Sequence, residues 1–290
     1  MSALGGRIAR HALALLATVL LGGLLAAALV RLAPGFDTDE QELDPLLNSA
    51  SIQSLRQARA EQSNIFRYYF SSLQRAAHGD LGTSISLGQP VSTLLRQRAP
   101  LTLRLVGLGL LLSWAFAMGF ALCAAWLRIS AFDALTTLIS GTFLCLPAAV
   151  LALFAVLWRI PEALAIALIV FPRVYRYAHN LLDKAYGQAY IVTARAKGLS
   201  ELRILFCHTI PVAAPQLLAV AGISVSIAVG AAIPVEAICG LAGVGQLAWQ
   251  AALARDLPLL TNITMLVTAV TLLANSGADV IGHMLRGQEA

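Results

Sequence analysis

Few side chains in this sequence could carry out covalent chemistry, and their spacing does not suit it. Cys207 and His208 are neighbours and would offer a nucleophile beside a base. Adjacent residues on a helix point about 100° apart, however, so these two side chains do not face each other. The sequence therefore predicts no catalytic site and no enzyme.

Metal and nucleotide chemistry also lack their usual patterns. The four cysteines show no CxxC spacing, so neither a disulfide framework nor a metal site is predicted, and we expect no cofactor. The glycine-rich stretch 240–245 is followed by no lysine, and the sequence contains no Walker A loop with its Gly-Lys-Ser or Gly-Lys-Thr ending. The chain is therefore expected to lack an ATPase site of its own.

The composition is that of an integral membrane protein, with 58% hydrophobic and 12% charged residues. The fold class predicted is all-α, a polytopic membrane protein, because a bilayer core of about 30 Å takes about 20 apolar residues as helix. The run 161–178 is the shortest candidate, since its apolar part ends before Arg173. The six predicted spans are residues 8–32, 101–127, 134–157, 161–178, 212–234 and 259–281.

Charge supports a topology with both termini in the cytoplasm. Under that topology the short outer loops hold only Arg159 and Arg255, whereas the inner side holds ten cations. The long outer segment also carries arginines, but loops of that length do not follow the positive-inside rule. The segment 33–100 is predicted to be external, either as a solvated cap or as a landing surface for another protein. The cations predicted to lie inside are Arg7, Arg10, Arg128, Arg173, Arg176, Lys184, Arg195, Lys197, Arg203 and Arg286.

Glu236 is the acidic residue nearest to a predicted span. It follows Pro234 at the external end of the fifth run, and an acid at a membrane is a functional candidate by default. We expect its carboxylate to reach water, where a structural role in the outer loop suits it at least as well.

The predicted inner loop 179–210 contains a basic, glycine-centred segment. A helix is expected from Asp183 to Lys197, because cations favour a helix C-terminus and Gly198 suits the left-handed residue that follows. Ser200 can cap a second short helix, and Pro211 fits the first turn of the next span. The prediction is an elbow of helix, tight turn and helix fixed between two spans.

These residues resemble the signature loop of ABC-transporter permeases. Gly198 and Pro211 keep the spacing of that loop, and the run Thr-Ala-Arg-Ala-Lys-Gly at 193–198 is similar to its dipeptide, oligopeptide and nickel branch. Val192 departs from the branch pattern, and the acidic residue of the general signature is absent. Two further sets of segments resemble the same family: 79–84 with 90–91 and 99–103, and Glu236 with 243–247 and 255–258.

The resemblance implies a permease subunit of an ATP-driven, binding-protein-dependent ABC importer in the inner membrane of a prokaryote. It implies transport of peptides, nickel or another small solute by alternating access, with ATP hydrolysed by separate subunits. The implied partners are a second homologous permease subunit, two ATP-binding cassette ATPase chains, an external solute-binding protein and the lipid bilayer. The implied ATPase-coupling residues are Thr193, Ala194, Arg195, Ala196, Lys197, Gly198, Leu199, Ser200, Glu201, Arg203 and Pro211.

Other functional classes fit the sequence less well. A stand-alone secondary transporter or channel should carry acids for ion coupling inside its spans, and no predicted span has one near its middle. Nucleic-acid binding is not expected, because a net charge of +5 is spread too sparsely to neutralise a run of phosphates. The very short link 158–161 would suit a subunit with an altered substrate or an inactive one.

Overall fold

The computed structural model describes residues 2–32 and 65–286, and within them the regular secondary structure is helical. The all-α prediction is confirmed for this part of the chain, whereas residues 33–64 of the predicted external segment lie outside it. The helices are α1 Ser2–Leu32, α2 Ile65–Ala77, α3 Val91–Leu127, α4 Ser130–Cys145, α5 Ala148–Leu157, α6 Glu162–Tyr186, α7 Ala189–Ala196, α8 Glu201–Ile204, α9 Ile210–Ile238, α10 Val244–Leu253 and α11 Leu257–Arg286.

Several of these helices are suited to a bilayer. Within the described residues, Val91–Leu127, Glu201–Ile238 and Leu257–Gly282 are long and apolar enough to cross a membrane, and α4 with α5 adds a fourth if the bent pair counts as one span. The protein is therefore a multi-pass membrane protein. The predicted spans 8–32 and 161–178 are helical, but α1 has only a shorter apolar stretch, Leu15–Leu29, so the six-span count stays a prediction.

The predicted span 134–157 contains two helices rather than one. Helices α4 and α5 are bent by 97° at Leu146 and Pro147. Proline disfavours the helical conformation of the residue before it, and Leu146 is accordingly extended, with ψ of 126°. Hydropathy does not reveal this break because the residues on both sides of it are apolar.

Other boundaries differ from the predicted spans by several residues. Helix α3 begins at Val91 rather than at 101 and contains Pro100, and α9 continues past Pro234 to Ile238. The single helix predicted from Asp183 to Lys197 is wrong, because the chain breaks at Gly187 and Gln188 before α7 begins. Gln188 is extended, with ψ of 147°.

The chain divides into two compact units. Unit 1 comprises Met1–Ala99 and Leu247–Ala269, and unit 2 comprises Pro100–Gln246 and Val270–Ala290. In unit 1, the Tyr69 hydroxyl donates a 2.6 Å hydrogen bond to the carbonyl of Leu20. This bond ties α2 to α1.

The core of unit 2 is built around α6. This helix packs against α9, α4 and α5, and it buries Val170, Tyr175 and Leu182 in the main apolar cluster. The Tyr175 hydroxyl forms a 2.5 Å hydrogen bond with Thr136 of α4. Helix α6 thus connects the bent pair to α9 within this unit.

Candidate functional site

Within unit 2, a small apolar cluster packs the predicted elbow against the end of α6. Ile191 and Ala194 on α7, Ile204 on α8 and the following Leu205 are buried together with Tyr186 at the end of α6. A buried aliphatic side chain stabilises a fold by about 1.5–3 kcal/mol, so the cluster fixes the elbow firmly to the helices on either side. These anchors were not among the predicted site residues, although the three-residue spacing of Ile191 and Ala194 is a helical signal.

The turn of the elbow is a Schellman motif centred on Gly198. Gly198 has φ of +76°, and its N–H donates to the Arg195 carbonyl at 2.9 Å. The N–H of Leu199 donates to the Ala194 carbonyl at 3.3 Å, which satisfies the second exposed acceptor at the end of α7. The predicted left-handed glycine is confirmed. Ser200 stands before α8 with an extended backbone, but its hydroxyl makes no capping hydrogen bond.

An ion pair clamps the two short helices together. The Arg195 guanidinium donates to both oxygens of the Glu201 carboxylate, at 2.7 and 3.2 Å. The same guanidinium lies 6.0 Å from the centre of the Tyr186 ring, and that of Arg128 lies 5.5 Å from it. The hydrogen bond with Glu201 raises the pKa of Arg195, so the pair stays charged at neutral pH.

The elbow continues into α9 through a π turn at Leu205–Thr209. Thr209 is buried, and its hydroxyl donates to the Ile204 carbonyl at 3.3 Å. The helix from Glu201 to Ile238 is therefore continuous. Short π segments are rare and occur frequently at functional sites. No residue pattern at 205–209 predicts this π turn.

The outward surface of the elbow is both apolar and cationic. Val192 is 68% exposed, Leu202 is 50% exposed and Phe206 is 57% exposed. Lys197 and Arg203 of the same elbow are also exposed. We call these five side chains the loop face.

The structure places the predicted coupling residues along this elbow, although not all at its surface. Ala194 is buried and Leu199 half-buried, so both support the fold rather than face outward. Thr193, Ala194, Arg195 and Ala196 lie on α7, Lys197 to Ser200 in the turn, Glu201 and Arg203 on α8, and Pro211 in the first turn of α9.

Glu236 is not at a water-filled surface, and that prediction is wrong. Its side chain is fully buried in unit 2 and accepts hydrogen bonds from the Thr102 hydroxyl at 2.7 Å and from the Gly245 N–H at 2.7 Å. The Thr102 oxygen in turn accepts the N–H of Val244 at 2.8 Å. A Cβ at Gly243 would overlap the Glu236 carboxylate. Glu236 thus caps the N-terminus of α10, where negative charge is favoured.

A second buried carboxylate joins two other segments of the resemblance inside unit 1. Asp256 is 1% exposed and accepts the hydroxyls of Ser84 at 2.6 Å and Ser86 at 2.8 Å. It also accepts the N–H of Leu259 at 3.1 Å, which caps the start of α11. The segments that looked like separate sequence signatures are therefore contact partners in the fold.

Known proteins resemble this chain over most of its length. Oligopeptide transport system permease protein AppB of Bacillus subtilis is 27% identical over 91% of this chain and 92% of its own length. Oligopeptide transport system permease protein OppB of Salmonella typhimurium is 28% identical over 87% and 89%. A protein of Brucella abortus named for a peptide transport system permease is 29% identical over 70% and 73%.

A protein family provides the broader comparison. The family described as "Binding-protein-dependent transport system inner membrane component" matches residues 115–286. This range covers the bent pair, α6, the elbow and α9 to α11. Because the match spans more than half of the chain, the protein belongs to the family of inner membrane components of binding-protein-dependent transport systems.

Proposed function

We propose that this chain is the membrane-spanning permease subunit of an ATP-driven ABC importer that moves peptides by alternating access. The observation that carries the proposal is the loop face, an exposed apolar and cationic surface clamped to α6 and continuous with α9. The peptide substrate is taken from the names of the relatives AppB and OppB. ATP is hydrolysed by separate chains.

The proposed topology is a single transmembrane domain of six spans with both termini in the cytoplasm. The loop 179–210 then lies inside and the segment 33–100 outside, as the distribution of cations favours. Helix α6 serves as the fourth span. Its apolar stretch 163–172 is mostly buried, and apart from Glu162 in the first turn its charged residues begin at Arg173.

The elbow offers a mechanical route from a partner to the spans. Arg195 links α7 to Glu201 of α8 and contacts Tyr186 at the end of α6. Helix α8 passes directly through the π turn into α9. A partner that moves the loop face therefore displaces the ends of α6 and α9 together, because packed elements transmit displacement.

The proposed assembly contains this subunit, a second homologous permease and two ATPase chains. An external solute-binding protein delivers the substrate. The ATPase chain contacts Val192, Leu202 and Phe206 with an apolar pocket and meets Lys197 and Arg203 with acidic residues, since these chemistries complement the loop face. Closure of the ATPase pair on ATP then switches the pathway between its two faces.

Co-purification tests this function. A tagged chain carrying Lys197→Glu and Arg203→Glu should lose ATPase recovery from membranes by about tenfold or more, because the reversed charges face an acidic partner surface. The matched control is Lys184→Glu, which reverses an exposed lysine on α6 outside the loop face. Equal ATPase recovery with the wild-type chain, the double variant and Lys184→Glu would show that the ATPase does not bind the loop face. No ATPase with the wild-type chain would favour a stand-alone carrier.

A further inference from the structure

The bend between α4 and α5 leaves a cleft against the C-terminal half of α6. One cavity of about 380 Å³ is lined by Leu144, Arg173, Arg176, Tyr177 and Asn180. A neighbouring cavity of about 230 Å³ is lined by the bend residues 143–148 together with Ile169 and Arg173. Both cavities border Leu144 and Arg173, so they adjoin each other, and together they are here called the bend cleft.

The bend cleft is cationic. Arg173 and Arg176 are exposed, and their three-residue spacing places both guanidinium groups on one face of α6. The residues that line the two cavities include no acid. Neither arginine has a carboxylate partner within the described part of the chain. Among residues 2–32 and 65–286, the cleft therefore holds two cations and no acidic residue that neutralises them.

Two neighbouring guanidinium groups repel each other and favour an anionic partner that lies between them. Interrupted helices commonly line transporter binding sites, and here the bend residues line the cleft beside the arginines. The planar fork of arginine binds a carboxylate through two parallel hydrogen bonds, and the Asn180 amide and the Tyr177 hydroxyl can add further hydrogen bonds. The volume falls within the range of about 300–1,000 Å³ for small-molecule sites.

We propose that the bend cleft holds the carboxylate of the transported solute between Arg173 and Arg176, which makes a free carboxyl end a requirement of the pathway. This inference rests on the proposed function for its solute. The site lies on the helix that ends at the elbow, since Arg173 and Tyr186 both belong to α6. A displacement of the loop face thus moves the arginines relative to the bend and changes their hydrogen bonds with the carboxylate.

Thiol protection tests the cleft directly. Asn180→Cys is introduced into the full transporter after the four native cysteines are replaced by serine, and its alkylation rate is followed in inside-out membrane vesicles. Trialanine should slow the alkylation of this cysteine. Trialanine amide should reach the same protection only at about a tenfold higher concentration, because the amide loses the charged hydrogen bonds between carboxylate and arginine. Adding Arg173→Gln should abolish the difference between the acid and the amide.

The control is Arg159→Gln, which removes an exposed arginine that lines neither cavity and should keep the difference. Equal protection by acid and amide, or none by either, would overturn the proposal. Protection that follows the phosphatidylglycerol content of the vesicles rather than the peptide would assign the arginines to lipid headgroups and also overturn it. ATPase recovery, scored on the same vesicles, reports separately on the proposed function.

Discussion

Replacing Gly198 by alanine is expected to lower the recovery of ATPase chains about tenfold while the protein still inserts into membranes. Gly198 has φ of +76°, where a Cβ costs about 1–2 kcal/mol. No atom lies within 4 Å of the position of that Cβ, so the cost comes from the backbone and not from a clash. If the ATPase binds only the native turn, its apparent affinity falls in proportion to the population of that turn.

Two variants control this prediction. Gly198→Asn should retain most of the binding, because asparagine tolerates the left-handed conformation. Gly107→Ala adds the same methyl group to an open helical position in α3 and should leave binding unchanged. The measurement is ATPase co-purification per inserted chain. Wild-type recovery with Gly198→Ala would contradict the view that this turn presents the loop face.

Replacing Glu236 by alanine is expected to destabilise the protein by about 3–5 kcal/mol, because three donors lose their acceptor and each loss costs about 1–3 kcal/mol. The Thr102 hydroxyl and the Gly245 N–H would lose a shared acceptor in a site that water does not reach. Gly243→Ala should also lower the stability of the protein, because its Cβ would overlap the Glu236 carboxylate. Thermal unfolding of the detergent-solubilised protein measures both effects.

Glu236→Gln and Glu162→Gln separate charge from geometry in this test. Glutamine can still accept from Gly245, so its cost should be smaller, about 1–2 kcal/mol. Glu162 is a half-buried acid in the first turn of α6, and its replacement should change stability by about 0.5 kcal/mol. Wild-type stability for Glu236→Ala would show that the capping interaction is dispensable.

The left-handed turn at Gly198 could be predicted from the sequence because its signals are local. Cations followed by Gly198 mark the end of a helix, and the structure places that glycine in the left-handed region. The anchors Ile191 and Ile204 were missed because their burial depends on contacts with Tyr186 and α3, which no local pattern contains. The π turn was missed because its residues also suit an ordinary helix.

The bend between α4 and α5 and the burial of Glu236 could not be predicted from the sequence. The stretch 134–157 has one apolar composition, and only Pro147 hints at its interruption. Glu236 follows an apolar run, which favours exposure at the end of a span. Its burial involves Gly243 and Gly245, which follow α9, and its partner Thr102 lies 134 positions away in the sequence. Contacts of this range depend on the tertiary fold and not on periodicity.

Site-specific photocrosslinking at Leu202 tests whether an ATPase chain binds the loop face. A photoreactive amino acid replaces Leu202, which is 50% exposed on the loop face, and in a matched chain it replaces Leu138, which is 68% exposed on α4. We predict that Leu202 crosslinks in membranes to a chain containing a Walker A loop, that ATP changes the yield, and that Leu138 does not crosslink to it. If the ATPase crosslinks at neither position in membranes that contain the assembled transporter, the loop face is not its binding site.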